Sequence, residues 1–116
     1  MGDVANADEE IEARVGAFDG TEFIVSRRRW LHILDRHAEL GGMIEVMKAI
    51  ALGPDEVFVD PRGTLHLVKG SKEATADFLV VIARKEGSKT YLVTAYPISA
   101  KRKKRRYRKF KKLPLS

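Results

Sequence analysis

Two histidines and an arginine fall within six residues, His32, Arg36 and His37. They form the sequence's tightest grouping of side chains able to move protons and hold an anion. An imidazole titrates near ~6.5 and both gives and takes protons at neutral pH. A guanidinium stays charged and matches the oxygens of a phosphate. Thr94 and Tyr96, two residues apart in an apolar run, would present hydroxyls on one face of a strand. These five are the candidate catalytic residues, and the chemistry they suit is acid–base cleavage of an RNA phosphodiester. RNA supplies its own nucleophile, the 2′-OH. A protein need only remove that proton, give one to the leaving 5′-oxygen and stabilise the charged phosphorane. Such a reaction requires no metal or cofactor, and none is expected.

Other chemistries lack their residues. There is no cysteine, so thiolate metal sites and disulfides are excluded. No HExxH or EF-hand pattern occurs, and on a helix His32 and His37 would stand about 140° apart, too far to share a metal. Gly41-Gly42 and Gly53 lack the lysine and spacing of a phosphate-cradling loop, and no serine sits in a nucleophile elbow.

Each candidate also has a plain structural reading. His37, on an apolar helical face, could be a core histidine, and His32 a solvated one. His66 lies between Leu65 and Leu67, faces away from them in a strand, and reads as incidental. Thr94 and Tyr96 are good strand formers in any case.

The element carrying the first group starts at Ser26, a good N-cap, and meets no glycine or proline before Gly41-Gly42. A helix over 26–40 is expected, with Trp30, Ile33, Leu34, His37 and Leu40 on one face. A second helix, Met43 to Leu52, stops at Gly53-Pro54. Four strands then follow at 57–59, 64–69, 77–84 and 90–96, joined by turns such as Asp60-Pro61-Arg62-Gly63. Upstream, Asp19-Gly20 marks a hairpin or a single strand leading into the helix. The expected fold is α+β, an N-terminal helical pair on a mostly antiparallel four-stranded sheet. The expected division is an acidic, poorly ordered segment at 1–20, one domain at 21–100 and a basic tail at 101–116.

Charge is unevenly spread. The net charge is +6, yet KRKKRRYRKFKK at 101–112 holds ten cations. Ten like charges in twelve residues favour a polyanionic partner whose counterions they release. The expected RNA-binding set is Lys101, Arg102, Lys103, Lys104, Arg105, Arg106, Arg108 and Lys109 with Arg28 and Arg29 of the helix. Tyr107 and Phe110 would stack on unpaired bases. An anionic membrane surface, a nuclear targeting signal and plain solubility are the competing uses of such a tail. Tyr107, Phe110 and Leu113 are also spaced for a helix docked on the body. No apolar run suits a membrane span, and the acidic start lacks the features of a signal peptide, so a cytoplasmic location is expected.

Taken together, WLHILDRH, GPDEVFVD, FLVVIAR and YLVTAYPI resemble the phage-associated nucleases of the barnase–EndoU–colicin–RelE superfamily. The resemblance runs from Trp30 to Ile98. It implies a small metal-independent endoribonuclease of toxin type, acting on RNA (a tRNA or ribosomal RNA among the candidates) and held in check by a cognate antitoxin protein. It places a histidine or basic residue of the first helix, at His32, Arg36 or His37, and a hydroxyl of the last strand, at Thr94, in the cleft. Two features depart from the family pattern: Ala38 stands where a proline is usual, and the basic extension lies outside the motif. A non-catalytic nucleic-acid-binding module on the same fold is the alternative reading.

Overall fold

Leu79, Val80, Val81 and Ala83 are all buried, so the apolar run around them is covered on both faces. That requirement organises the molecule. The computed structural model describes residues 10–70 and 76–115. In chain order these form β1 (Ile11–Gly16), β2 (Glu22–Ser26), α1 (Arg27–Arg36), a 3-10 turn (Ala38–Leu40), α2 (Ile44–Leu52), β3 (Glu56–Val59), β4 (Leu65–Gly70), β5 (Phe78–Glu86), β6 (Lys89–Ile98), α3 (Ala100–Tyr107) and β7 (Lys111–Lys112).

The described strands form one seven-stranded sheet in the order β1-β2-β6-β5-β4-β3-β7. It is mixed, because β2 runs parallel to β6 while the other pairs are antiparallel. This corrects the expected fold: two strands precede the helices, and β3 to β6 are only the middle of a larger sheet. In β2, Phe23, Ile24 and Val25 are consecutive and buried. Phe23 and Val25 enter the larger core, while the alternation of a strand turns Ile24 to the other side. A strand covered on both sides belongs inside a sheet, and β1 covers its free edge through the turn at Gly20, which has φ +87°.

The two faces carry separate cores. One joins Trp30, Ile33 and Leu40 to Met47 and Ile50 of α2 and to Val57, Leu67, Leu79, Val81 and Leu92 of the sheet. The other joins Phe58, Val68, Val80, Ile82 and Ile98 to Tyr107 of α3. The basic segment is therefore part of the fold, as a docked helix and an edge strand. Acidic residues 1–9 and the loop residues 71–75 lie outside the described residues.

The first helix ends at Arg36, four residues short of the expected stop. His37 leaves helical geometry at φ −134°, ψ 69°, and the 3-10 turn then carries Leu40 into the core. A continuous helix would have placed the imidazole among Ile33 and Leu40, where a polar ring needs partners it would not find. Breaking the helix at His37 buries Leu40 and leaves the histidine side chain 33% exposed.

Candidate functional site

α3 is built to present two faces. Ser99 caps it, its hydroxyl accepting from the Arg102 N–H at 3.2 Å, and Asp77 accepts from the Ala100 N–H at 2.9 Å. Lys103 and Tyr107, four residues apart, point onto the sheet. Tyr107 is 4% exposed and stacks on Phe58, with ring centroids 4.7 Å apart and planes at 15°. The Lys103 ammonium pairs with Glu56 and lies 4.9 Å from the centre of the Phe78 ring. Lys112 takes the other Glu56 oxygen at 3.0 Å. Burial works to raise the Glu56 carboxyl, but the two lysines outweigh it and hold it below its ordinary value. One carboxylate of β3 thus pins both ends of the basic segment.

Arg102, Arg105 and Arg106, at i, i+3 and i+4, share another side of α3. They line a cleft of about 560 Å³ with His37, Tyr96, Pro97 and Ile98, within the usual size of a ligand site. The cleft exists because β2 pairs with β6 only through Lys89, Thr90 and Tyr91. Beyond Tyr91 the chain of β2 has turned into α1, which packs against β6 and delivers His37 to the same opening. The His37 Nδ1 lies 3.4 Å from Glu39 Oε2. That contact favours the proton on Nδ1 and leaves Nε2 as the free acceptor of the neutral ring. The Arg106 guanidinium sits 5.3 Å from the centre of the Tyr96 ring. Three cations, an imidazole and a phenol on one concave surface can bind an anion and exchange protons with it.

Behind Tyr96 a chain of polar side chains runs into the second core. The hydroxyls of Tyr96 and Tyr107 are 3.1 Å apart. The Tyr107 hydroxyl lies 2.9 Å from His66 Nδ1, and His66 Nε2 lies 3.1 Å from Asp60 Oδ2. His66 is 3% exposed. It reaches this face because β4 alternates, Leu65 and Leu67 joining the larger core while His66 faces Phe58 across the β3–β4 pair. The other Asp60 oxygen accepts the N–H groups of Arg62 and Thr64 at 2.9 and 3.0 Å, so the Asp60–Gly63 turn fixes the carboxylate. Burial works to raise this carboxyl, but the hydrogen bonds from His66, Thr64 and Arg62 prevail and hold it low. Burial also pushes His66 below its ordinary value, against the pull of Asp60. The Tyr107 hydroxyl is pushed far above the ordinary phenol range, first by burial and then by Tyr96.

Of the five sequence candidates, the cleft brings together His37 and Tyr96. His32 and Arg36 are exposed on α1 and do not line it. Thr94 shares the sheet face of Tyr96, since they pair with Ile82 and Val80, but it lies outside the cleft lining. Arg28 and Arg29 line a second recess, about 230 Å³, with Arg84, Glu86 and Tyr91 among its walls. In the basic segment Lys101, Lys104, Arg108 and Lys109 are exposed, while Phe110 is half-buried against His66 and Tyr107.

Sequence reasoning missed Asp60 and His66 as parts of the site. Their signal was the lone imidazole on the far face of an apolar strand, one short turn after an aspartate. Among the described residues no three histidine or acidic side chains stand close enough to share a metal ion, and no helix is long and apolar enough to cross a membrane. Comparison with family models, curated proteins and solved structures finds no match.

Proposed function

We propose that the protein is a metal-independent endoribonuclease, with its centre at the cleft between the end of α1, β6 and α3. One observation carries the reading: two of the five candidate side chains named from the sequence, the imidazole of His37 and the hydroxyl-bearing Tyr96, line one opening with Arg102, Arg105 and Arg106. The guanidiniums would grip the scissile phosphate and offset charge on the phosphorane. His37 and Tyr96 would divide the two proton transfers, one from the 2′-OH and one to the 5′-oxygen. The exposed cations beside the cleft and the recess at Arg28, Arg29 and Arg84 would carry flanking phosphates. The resemblance to phage-associated nucleases supports the same reaction class and an antitoxin partner.

The test is incubation with structured and unstructured RNA in chelator, for the native chain and for an Arg105→Gln/Arg106→Gln form. Both arginines are exposed, so the double exchange should leave the melting temperature nearly unchanged. Cleavage by the native chain and its loss in the double form are expected. RNA that is retarded on a gel but never shortened would replace the nuclease by a binding module.

A further inference from the structure

The hydrogen-bond chain behind Tyr96 has a direction, and its ends set it. Asp60 is an ionised carboxylate whose Oδ1 is occupied by two backbone N–H groups, so Oδ2 can only accept, and His66 Nε2 must carry the proton. The buried ring favours its neutral form, which leaves Nδ1 bare to accept from the Tyr107 hydroxyl. With its single proton donated there, the Tyr107 oxygen accepts from Tyr96. The Tyr96 proton therefore points inward, and its oxygen offers lone pairs to the cleft.

We propose that Tyr96 is the proton acceptor of the cleft, and that Tyr107, His66 and Asp60 form the wire that drains it. The proposal rests on the ribonuclease reading for the identity of the donor, a 2′-hydroxyl beside a bound phosphate. As that O–H bond breaks, the proton joins the Tyr96 oxygen and the freed electron pair attacks phosphorus. Tyr96 passes its own proton to Tyr107, and Tyr107 passes its own to His66 Nδ1. The charge comes to rest as an imidazolium against the Asp60 carboxylate. His37, across the cleft, enters this step as the imidazolium, gives its Nε2 proton to the leaving 5′-oxygen and is left neutral with its remaining proton on Nδ1 beside Glu39. Within the wire only Tyr96 touches substrate; Tyr107, His66 and Asp60 are positioning residues acting through it. The groups facing His66 are Asp60 from the β3–β4 turn, Phe58 from β3, Tyr107 and Arg106 from α3 and Phe110 beyond it. Among these Asp60 alone favours the imidazolium, and Arg106 opposes it.

Asp60→Asn tests the wire without removing a hydrogen bond. The new carboxamide oxygen can still accept from Arg62 and Thr64, but its NH2 donates to His66 Nε2. That forces the proton onto Nδ1 and reverses every bond, so that Tyr96 donates to the cleft. Long-range 1H–15N spectra of the full chain should show neutral His66 as the Nε2–H tautomer in the native protein and the Nδ1–H tautomer in Asp60→Asn. Cleavage should fall by about 10²-fold or more, the usual worth of a general base, while inorganic phosphate binds at least as well. Tyr107→Phe cuts the wire, and the acid limb of its rate profile should cease to follow the His66 titration. A native Nδ1–H tautomer would overturn the proposal, and so would a folded, flipped Asp60→Asn chain that cleaves at the native rate. If the native chain cleaves nothing, the nuclease reading falls separately. The wire is then judged by the two tautomers and by whether phosphate affinity holds in Asp60→Asn, loss of either counting against it.

Discussion

Cutting the chain after Ala100 looks from the sequence like removal of a charged tail, and from the structure it removes one side of a core. Tyr107 of α3, stacked on Phe58, shares one core with Phe58, Val68, Val80, Ile82 and Ile98, each under 10% exposed, and Phe110 packs against that core. Fully burying such a side chain contributes about 1.5–3 kcal/mol. If truncation returns half of that burial to water, the five together lose roughly 4–8 kcal/mol, an upper figure because unfolded chains are themselves partly collapsed. Domains of this size hold only about 5–15 kcal/mol in total. The truncated form should therefore lose its near-UV circular dichroism and bind a hydrophobic dye. Any remaining transition should fall by roughly 20 °C or more, taking about 4–8 °C per kcal/mol. A cooperative melt within about 5 °C of the full chain would refute the assignment of α3 to the core. Loss of RNA binding on truncation is then no measure of the tail's charge.

The charge is measured instead by exchanging Lys101, Lys104, Lys109 and Lys111, all exposed, for glutamine. Stability should hold, while the salt dependence of single-stranded RNA binding should flatten by up to about 3 in its logarithmic slope, near 0.7 per phosphate contact. His37→Ala should abolish cleavage, and His32→Ala, outside the cleft, should leave it within about twofold of native; the reverse pattern would move the centre to the outer face of α1. Stability should also depend on pH in two windows, read as melting temperature from pH 8 to pH 3. His66 is held below its ordinary value of 6.5, so the unfolded chain binds that proton first and stability declines as pH falls below about 6.5. Asp19, Asp55, Glu56 and Asp60 are held low as well, which adds a second loss below about pH 4. A flat profile between pH 7 and pH 5 would mean that the buried His66 pair does not titrate as argued.

Local patterns were legible in the sequence, while long-range pairings were not. The Ser26 cap, the Gly53-Pro54 stop and the turns at Asp60–Gly63 and Gly87 all stand where residue type demands them. The parallel pairing of β2 with β6 joins residues more than sixty positions apart, and no local rule specifies it. The helical wheel placed His37 correctly only if the helix continued, and the cost of burying an imidazole ended it at Arg36. The basic segment was masked by its charge: Tyr107 and Phe110 carried the docking signal, and Glu56, fifty residues away, supplied the partner for Lys103 and Lys112. Tyr96 was found because strand alternation is robust. The chain behind it depends on Asp60, His66 and Tyr107 meeting across β3, β4 and α3, which only the fold brings about.

The most direct test of the central claim is the chemistry of the RNA ends made by the full chain in chelator. A 2′-OH attack leaves a 2′,3′-cyclic phosphate on one fragment and a 5′-hydroxyl on the other, and both are expected. Fragments ending in 3′-hydroxyl and 5′-phosphate would contradict it, as would intact RNA merely held by the protein.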